Sequence, residues 1–121
     1  MRTLDLKPSR APPLWLLFGA GGMLAALAGP MLVFITGIAV PLGWTLPSDL
    51  LAYPRALAFA RSWLGGAFLL AAIALFAWHA AHRIFHVLHD LGLPTGRLAV
   101  LACYGGAAAV TIVALAALAG L

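Results

Sequence analysis

SWLGGAFLLAAIALFAWHAA, residues 62–81, holds no Asp, Glu, Lys or Arg, and it runs on into HRIFHVLHD, residues 82–90, with no proline between. About 20 apolar residues suffice to cross the hydrocarbon layer of a bilayer. This stretch is long enough alone, and two more uncharged runs flank it, residues 11–48 and residues 98–121. Together they predict an all-α integral membrane protein with three transmembrane helices, at about 15–41, 57–89 and 97–120. Composition agrees: 64% of the 121 residues are hydrophobic and 8% charged, against roughly 45–50% and about 25% in soluble domains. Mean hydropathy is +1.08. The chain reads as one transmembrane domain over residues 1–121, too apolar for a soluble core to hide.

The segments between the runs carry the punctuation. MRTLDLKPSRAPPL, residues 1–14, has Arg2, Asp5, Lys7, Arg10 and three prolines and reads as an irregular polar arm. A basic arm, an apolar run and Ala26-Leu27-Ala28 mimic a cleaved signal peptide, but the run continues through MLVFITGIAV, residues 31–40, as an anchor does. Pro30 should kink the first helix. PLGWTLPSDLLAYPRA, residues 41–56, reads as a loop bearing the interfacial aromatics Trp44 and Tyr53. In GLPTG, residues 92–96, Gly92 caps the second helix and Pro94 stops it. Placing the N-terminus in the cytoplasm puts Arg2, Lys7, Arg10, Arg83 and Arg97 inside and only Arg55 and Arg61 outside.

Several functions are excluded. Seven basic residues scattered at segment boundaries make no nucleic-acid surface. Cys103, the single cysteine, rules out an internal disulfide or a cysteine-ligated cluster. A small oligomeric transporter stays an alternative, although it predicts a carboxylate in mid-span and the spans hold none.

All four histidines fall in HAAHRIFHVLHD, residues 79–90. His79, His82, His86 and His89 are spaced 3, 4 and 3, which keeps them on one helix face. That face is about 15 Å long from first to last, so no single metal takes all of them. His82 and His86 have the spacing to share one, yet Asp90 is the only acidic neighbour and the other runs offer no His, Asp or Glu. A bis-histidine haem needs a facing histidine that this chain lacks. Any one of these rings is most simply a boundary residue with its polar tip among headgroups. Four of them beside Arg83, which always needs an anion or a ligand oxygen, point to a site.

PPLWLLFGAGGM, residues 12–23, opens the first helix with Gly19, Gly21 and Gly22, which permit close helix approach. Trp15 and Phe18 near that start share a membrane face with His82, Arg83 and His86 near the end of the second helix. An apolar slot with aromatic walls, an indole donor and a protonatable ring suits a quinone head.

WLLFGAGGM at 15–23, the AxxxP ending at Pro30, VPLG at 40–43, YPRALAF at 53–59 and HRxxHxxHDL over 82–91 together resemble one family. It is the small membrane anchor known as the D subunit of bacterial fumarate reductase, the menaquinol:fumarate oxidoreductase. The match covers nearly the whole chain in order, with little from the third helix, whose composition is generic. The resemblance implies a non-catalytic anchor that, with a companion anchor, the C subunit, attaches a flavoprotein subunit and an iron–sulfur subunit to the bacterial inner membrane. It implies menaquinone or menaquinol at a shared site near the cytoplasmic face, and no haem, FAD or iron–sulfur cluster held by this chain. Trp15 matches the family's quinone-site tryptophan, Phe18 and Gly19 the lining beside it, and His82 and Arg83 the polar pair. His86 and His89 match in position, whereas His79 and Phe85 depart from the pattern, and His79 acquires no role. The alternatives are a haem-bearing anchor of succinate dehydrogenase type, with a partner's histidine opposite His79 or His82, and the small transporter.

Overall fold

The computed structural model describes residues 11–121, and every regular element among them is helical. Helix α1 spans Ala11–Phe34 and runs into a π-helical turn at Ile35–Ala39; α2 spans Tyr53–Arg61, α3 Trp63–Asp90 and α4 Arg97–Ala119. Three segments are long and apolar enough to cross a membrane: Phe18–Ala39, Trp63–Asp90 and Arg97–Ala119. The spans of the sequence reading are therefore present, with two changed boundaries. The first ten residues of the expected polar arm, with Arg2, Lys7 and Arg10 that were expected in the cytoplasm, lie outside the described residues.

The first change is at the N-terminal arm, where helix already begins at Ala11 rather than Trp15. Pro12 and Pro13 fit there because the first N–H groups of a helix have no intrahelical partner to lose. α1 then passes through Pro30 as helix, and its hydrogen-bond pattern widens only later, where Val40 N–H reaches back to the Ile35 carbonyl at 3.0 Å. The π-helical turn precedes Pro41, whose ring crowds the carbonyl four residues back and ends the run. The chain then turns on Gly43, at φ +63°. Trp44 N–H bonds the Ala39 carbonyl at 2.8 Å and Gly43 N–H that of Val40 at 3.0 Å, the paired C-terminal cap in which a glycine takes the left-handed position.

The second change divides the expected helix at about 57–89. Residues 53–61 form a separate α2, and the break falls at Ser62, whose ψ of 142° is extended. Its hydroxyl accepts from Gly65 N–H at 3.0 Å and donates to the Phe59 carbonyl at 2.7 Å. Ser62 is thus the N-cap of α3 and ties down the end of α2 at once. Gly65 is the residue that permits the corner, since a Cβ there would collide with the Phe59 carbonyl. Arg55 pairs with Asp49 at 2.8 Å, and Arg61 donates from Nε to the Leu121 carbonyl at 2.9 Å. That last bond holds the start of α3 and the end of α4 at one face of the molecule.

α3 is the central helix, packed on α1 along one side and on α4 along the other. Small residues make both contacts close: Ala81 and Ala107 are buried where α3 meets α4. On the other side a Cβ at Gly21 would stand 2.5 Å from the Leu75 carbonyl oxygen and 2.8 Å from His79 Cβ. Gly19 and Gly29 have open space around them, so the close approach is confined to Gly21 and Gly22. Large apolar side chains such as Leu16, Leu27, Leu64 and Leu98 point outward. Such a surface suits hydrocarbon as its solvent, where helices associate through packing of small residues rather than by hiding leucines. At 1.5 Å per residue α3 is about 42 Å long, roughly 12 Å more than the hydrocarbon layer. Gly92 at φ +71° closes it, with Leu93 N–H on the Leu88 carbonyl and Gly92 N–H on that of His89, both at 3.0 Å.

Candidate functional site

The histidine-bearing end of α3 is where α1, α3 and α4 place their ring side chains. Phe18 of α1 lies flat on His82 of α3, with centroids 3.9 Å apart and planes 9° from parallel. Phe18, His82 and Trp15 line a cleft of about 210 Å³. Trp15 is 79% exposed, so the cleft opens to the outside of the molecule on the Trp15 side. At the edge of the His82 ring the Nδ1 atom shares a 3.0 Å hydrogen bond with the hydroxyl of Tyr104 of α4, whose ring lies about equally far from Phe18 and His82, at 6.4 and 6.5 Å between centroids. His86 approaches His82 edge-on, centroids 4.4 Å apart.

His79 explains how Phe18 comes to face His82. Its Nδ1 lies 2.9 Å from the Phe18 carbonyl. A carbonyl can only accept, so Nδ1 carries the proton and donates. The same imidazole sits over Gly22, where a Cβ would come within 2.8 Å of Cε1. His79 and Gly22 thus fix the register of α1 on α3, and Phe18 meets the ring one turn further on.

Of the residues singled out in the sequence, Trp15, Phe18 and His82 are brought together, with His86 against the far edge of His82. Gly19 stands exposed with nothing within 4 Å of its would-be Cβ and is not among the residues of this chain that line the cleft. The reason is helical phase, because Gly21 and Gly22 take the face toward α3. Arg83 also stays outside the cleft, exposed and without a hydrogen bond or ion pair among the described residues. Adjacent residues on a helix do not share a face, so Arg83 projects away when His82 packs inward. His89 lies 3.3 Å from the Thr95 hydroxyl across the turn that leads into α4. Among the described residues no three His, Cys, Asp or Glu side chains converge as metal ligands.

Tyr104 is the member that the sequence reading missed. Its signal was present: one phenol in an apolar run that otherwise offers only Thr111 and Cys103 as polar side chains. A hydroxyl within a membrane helix needs a partner. Trp78 and Phe85 hold the Tyr104 ring from α3, with centroids 6.3 and 5.7 Å away.

Three membrane-length apolar helices, with a cluster of aromatic and imidazole rings at one end, define a multi-pass membrane protein. Similarity to known proteins gives the family. The family model for the fumarate reductase D subunit matches residues 5–119. The chain is 42% identical to the fumarate reductase D subunit of Photobacterium profundum over 115 residues, 95% of each chain. It is 41% identical to that of Vibrio vulnificus over 113 residues, covering 92% of this chain and 90% of the relative. With that of a Shewanella species it shares 42% over 108 residues, 89% and 88% of the two chains. The chain belongs to the family of fumarate reductase D subunits.

Proposed function

We propose that this chain is a non-catalytic anchor of a quinol:fumarate reductase. In this reading it joins a second anchor, the C subunit, in attaching the flavoprotein and iron–sulfur subunits to the bacterial inner membrane and supplies part of the menaquinol site. The N-terminus and the histidine end of α3 face the cytoplasm, as the five-to-two division of basic residues favours. The observation that carries the site is the Phe18–His82 ring stack beside Trp15, at the histidine-bearing end of α3.

The cleft fits a quinone ring on chemical grounds. Its walls are flat and apolar, and one ring nitrogen of His82, Nε2, makes no hydrogen bond among the described residues. Few polar groups against an aromatic wall is the usual construction of a small-ligand site. The open Trp15 side is where another subunit would complete it. Bound quinol supplies two electrons and two protons; His82 orients the ring and takes part in the proton steps, for which imidazole is suited. Trp15 offers its indole N–H to a ligand oxygen, and Arg83, exposed beside the cleft, presents fixed positive charge to lipid phosphate or to the neighbouring subunit.

The test is kinetic, on the purified complex. Trp15→Leu and Arg83→Leu should each slow menaquinol oxidation by roughly tenfold, the loss of a hydrogen bond or charge contact, while fumarate reduction by an artificial dye is retained. Unchanged quinol turnover in both would remove the site assignment. A Soret band in that complex would instead favour the haem-bearing alternative.

A further inference from the structure

The Tyr104 hydroxyl occupies one of the two nitrogens of His82, and this has consequences for the other. With Nδ1 bonded at 3.0 Å and the ring face covered by Phe18, Nε2 is the atom left to meet a ligand in the cleft. A neutral imidazole has one N–H and one bare nitrogen, and the bond at Nδ1 selects which is which. When Tyr104 donates to Nδ1, Nε2 carries hydrogen and donates outward. When Tyr104 accepts from Nδ1, Nε2 is bare and accepts. A hydroxyl rotates to serve either role, whereas a carboxylate only accepts and would hold Nδ1–H permanently.

We propose that Tyr104 is a positioning residue for His82, accommodating both neutral tautomers so that Nε2 can accept from a quinol hydroxyl and donate to a quinone carbonyl. The inference rests on the quinol-site reading above. As quinol is oxidised its two electrons pass to the electron acceptors of the complex and the hydroxyl proton moves to Nε2. The Nδ1 proton then leaves to water at the membrane boundary, the Tyr104 hydroxyl rotates to donate to bare Nδ1, and Nε2–H donates to the new carbonyl. Tyr104 has the geometry to follow that change because its ring is already held between Trp78 and Phe85. It is not among the residues lining the cleft and bonds His82 at Nδ1, so it acts through the imidazole rather than on the ligand.

The experiment is a double-mutant cycle in the purified complex, with menaquinol oxidation normalised to dye-linked fumarate reduction. Tyr104→Phe keeps the ring and deletes the hydroxyl, and it should lower normalised turnover about three- to tenfold, the worth of one hydrogen bond. In a His82→Ala background the same change should have no further effect, because residues that act as one unit are non-additive. Losses that multiply would show Tyr104 acting independently and overturn the inference. So would full turnover in Tyr104→Phe alongside a defective His82→Ala, a result that leaves the quinol site standing. Full turnover in both would remove the quinol site and the inference together. A comparison of Tyr104→Gln with Tyr104→Leu covers failure of the Phe variant to assemble: the amide donates and accepts, so Gln should exceed Leu. Gln at or below Leu would also overturn the proposal.

Discussion

The two ends of α3 are finished in opposite ways. At the Ser62 end the polar groups find partners within the chain: the Ser62 hydroxyl bonds Gly65 and Phe59, Arg61 bonds Leu121, and Arg55 pairs with Asp49. At the histidine end, Arg83, His86 and Asp90 are exposed with no hydrogen bond or ion pair among the described residues, and the cleft of Trp15, Phe18 and His82 is open on one side. One end is a closed structural corner; the other has its chemistry facing outward. The contrast teaches where such a chain meets a ligand or a neighbour, because polar groups at a membrane boundary are retained where something satisfies them.

The comparison predicts a separation of effects. Substitutions at the histidine end should change turnover without changing the stability of the complex, and those at the Ser62 end should do the reverse. The largest change expected is His82→Ala, about a hundredfold slower menaquinol oxidation with dye-linked activity retained, in the range of lost acid–base participation. A loss shared equally by both activities would break the distinction. Next comes Gly65→Val, which forces a side chain onto the Phe59 carbonyl. Overpacking of this kind costs about 2 kcal/mol, read as a lower temperature of thermal inactivation with unchanged quinol turnover per assembled complex. Ser62→Ala removes a helix cap and should cost about 1 kcal/mol in the same assay. The smallest effect is Asp49→Asn: the Arg55 pair is exposed, so its loss should cost under about 1 kcal/mol and vanish in high salt. A large salt-independent effect there would show that the corner is not closed within the chain.

The spans were legible in the sequence because the absence of charge over about 20 residues is a property of composition, insensitive to what packs where. The Gly92 stop was legible for a related reason: left-handed backbone has few sequence solutions. The break at Ser62 was not. Arg61 and Ser62 carry no proline, and the corner depends on Gly65 lying against Phe59, a contact that appears only when α2 and α3 are folded on each other. Pro30 lies inside α1, and the widening of the hydrogen-bond pattern nearer to Pro41 has no comparable mark in the sequence.

Within the site, residue type and helical spacing were enough to bring Trp15, Phe18 and His82 together. They were not enough to separate His82 from Arg83, or Gly19 from Gly22, because a small rotation of a helix exchanges neighbours. His79 had no role in the sequence and gained one from the backbone of another helix, the Phe18 carbonyl and the space over Gly22. A carbonyl partner leaves no trace in side-chain identity. Tyr104 was passed over because the third run was treated as generic, although a phenol among alanines always requires a partner.

The central claim, that the histidine end of α3 with the start of α1 forms part of the quinol site, is tested most directly by photo-cross-linking. A photoreactive menaquinone analogue is irradiated in the assembled complex and the labelled peptides are mapped. The account predicts label within residues 15–18 and 82–86 of this chain, diminished by excess menaquinone. Label confined to residues 40–65, or carried wholly by other subunits, would contradict it.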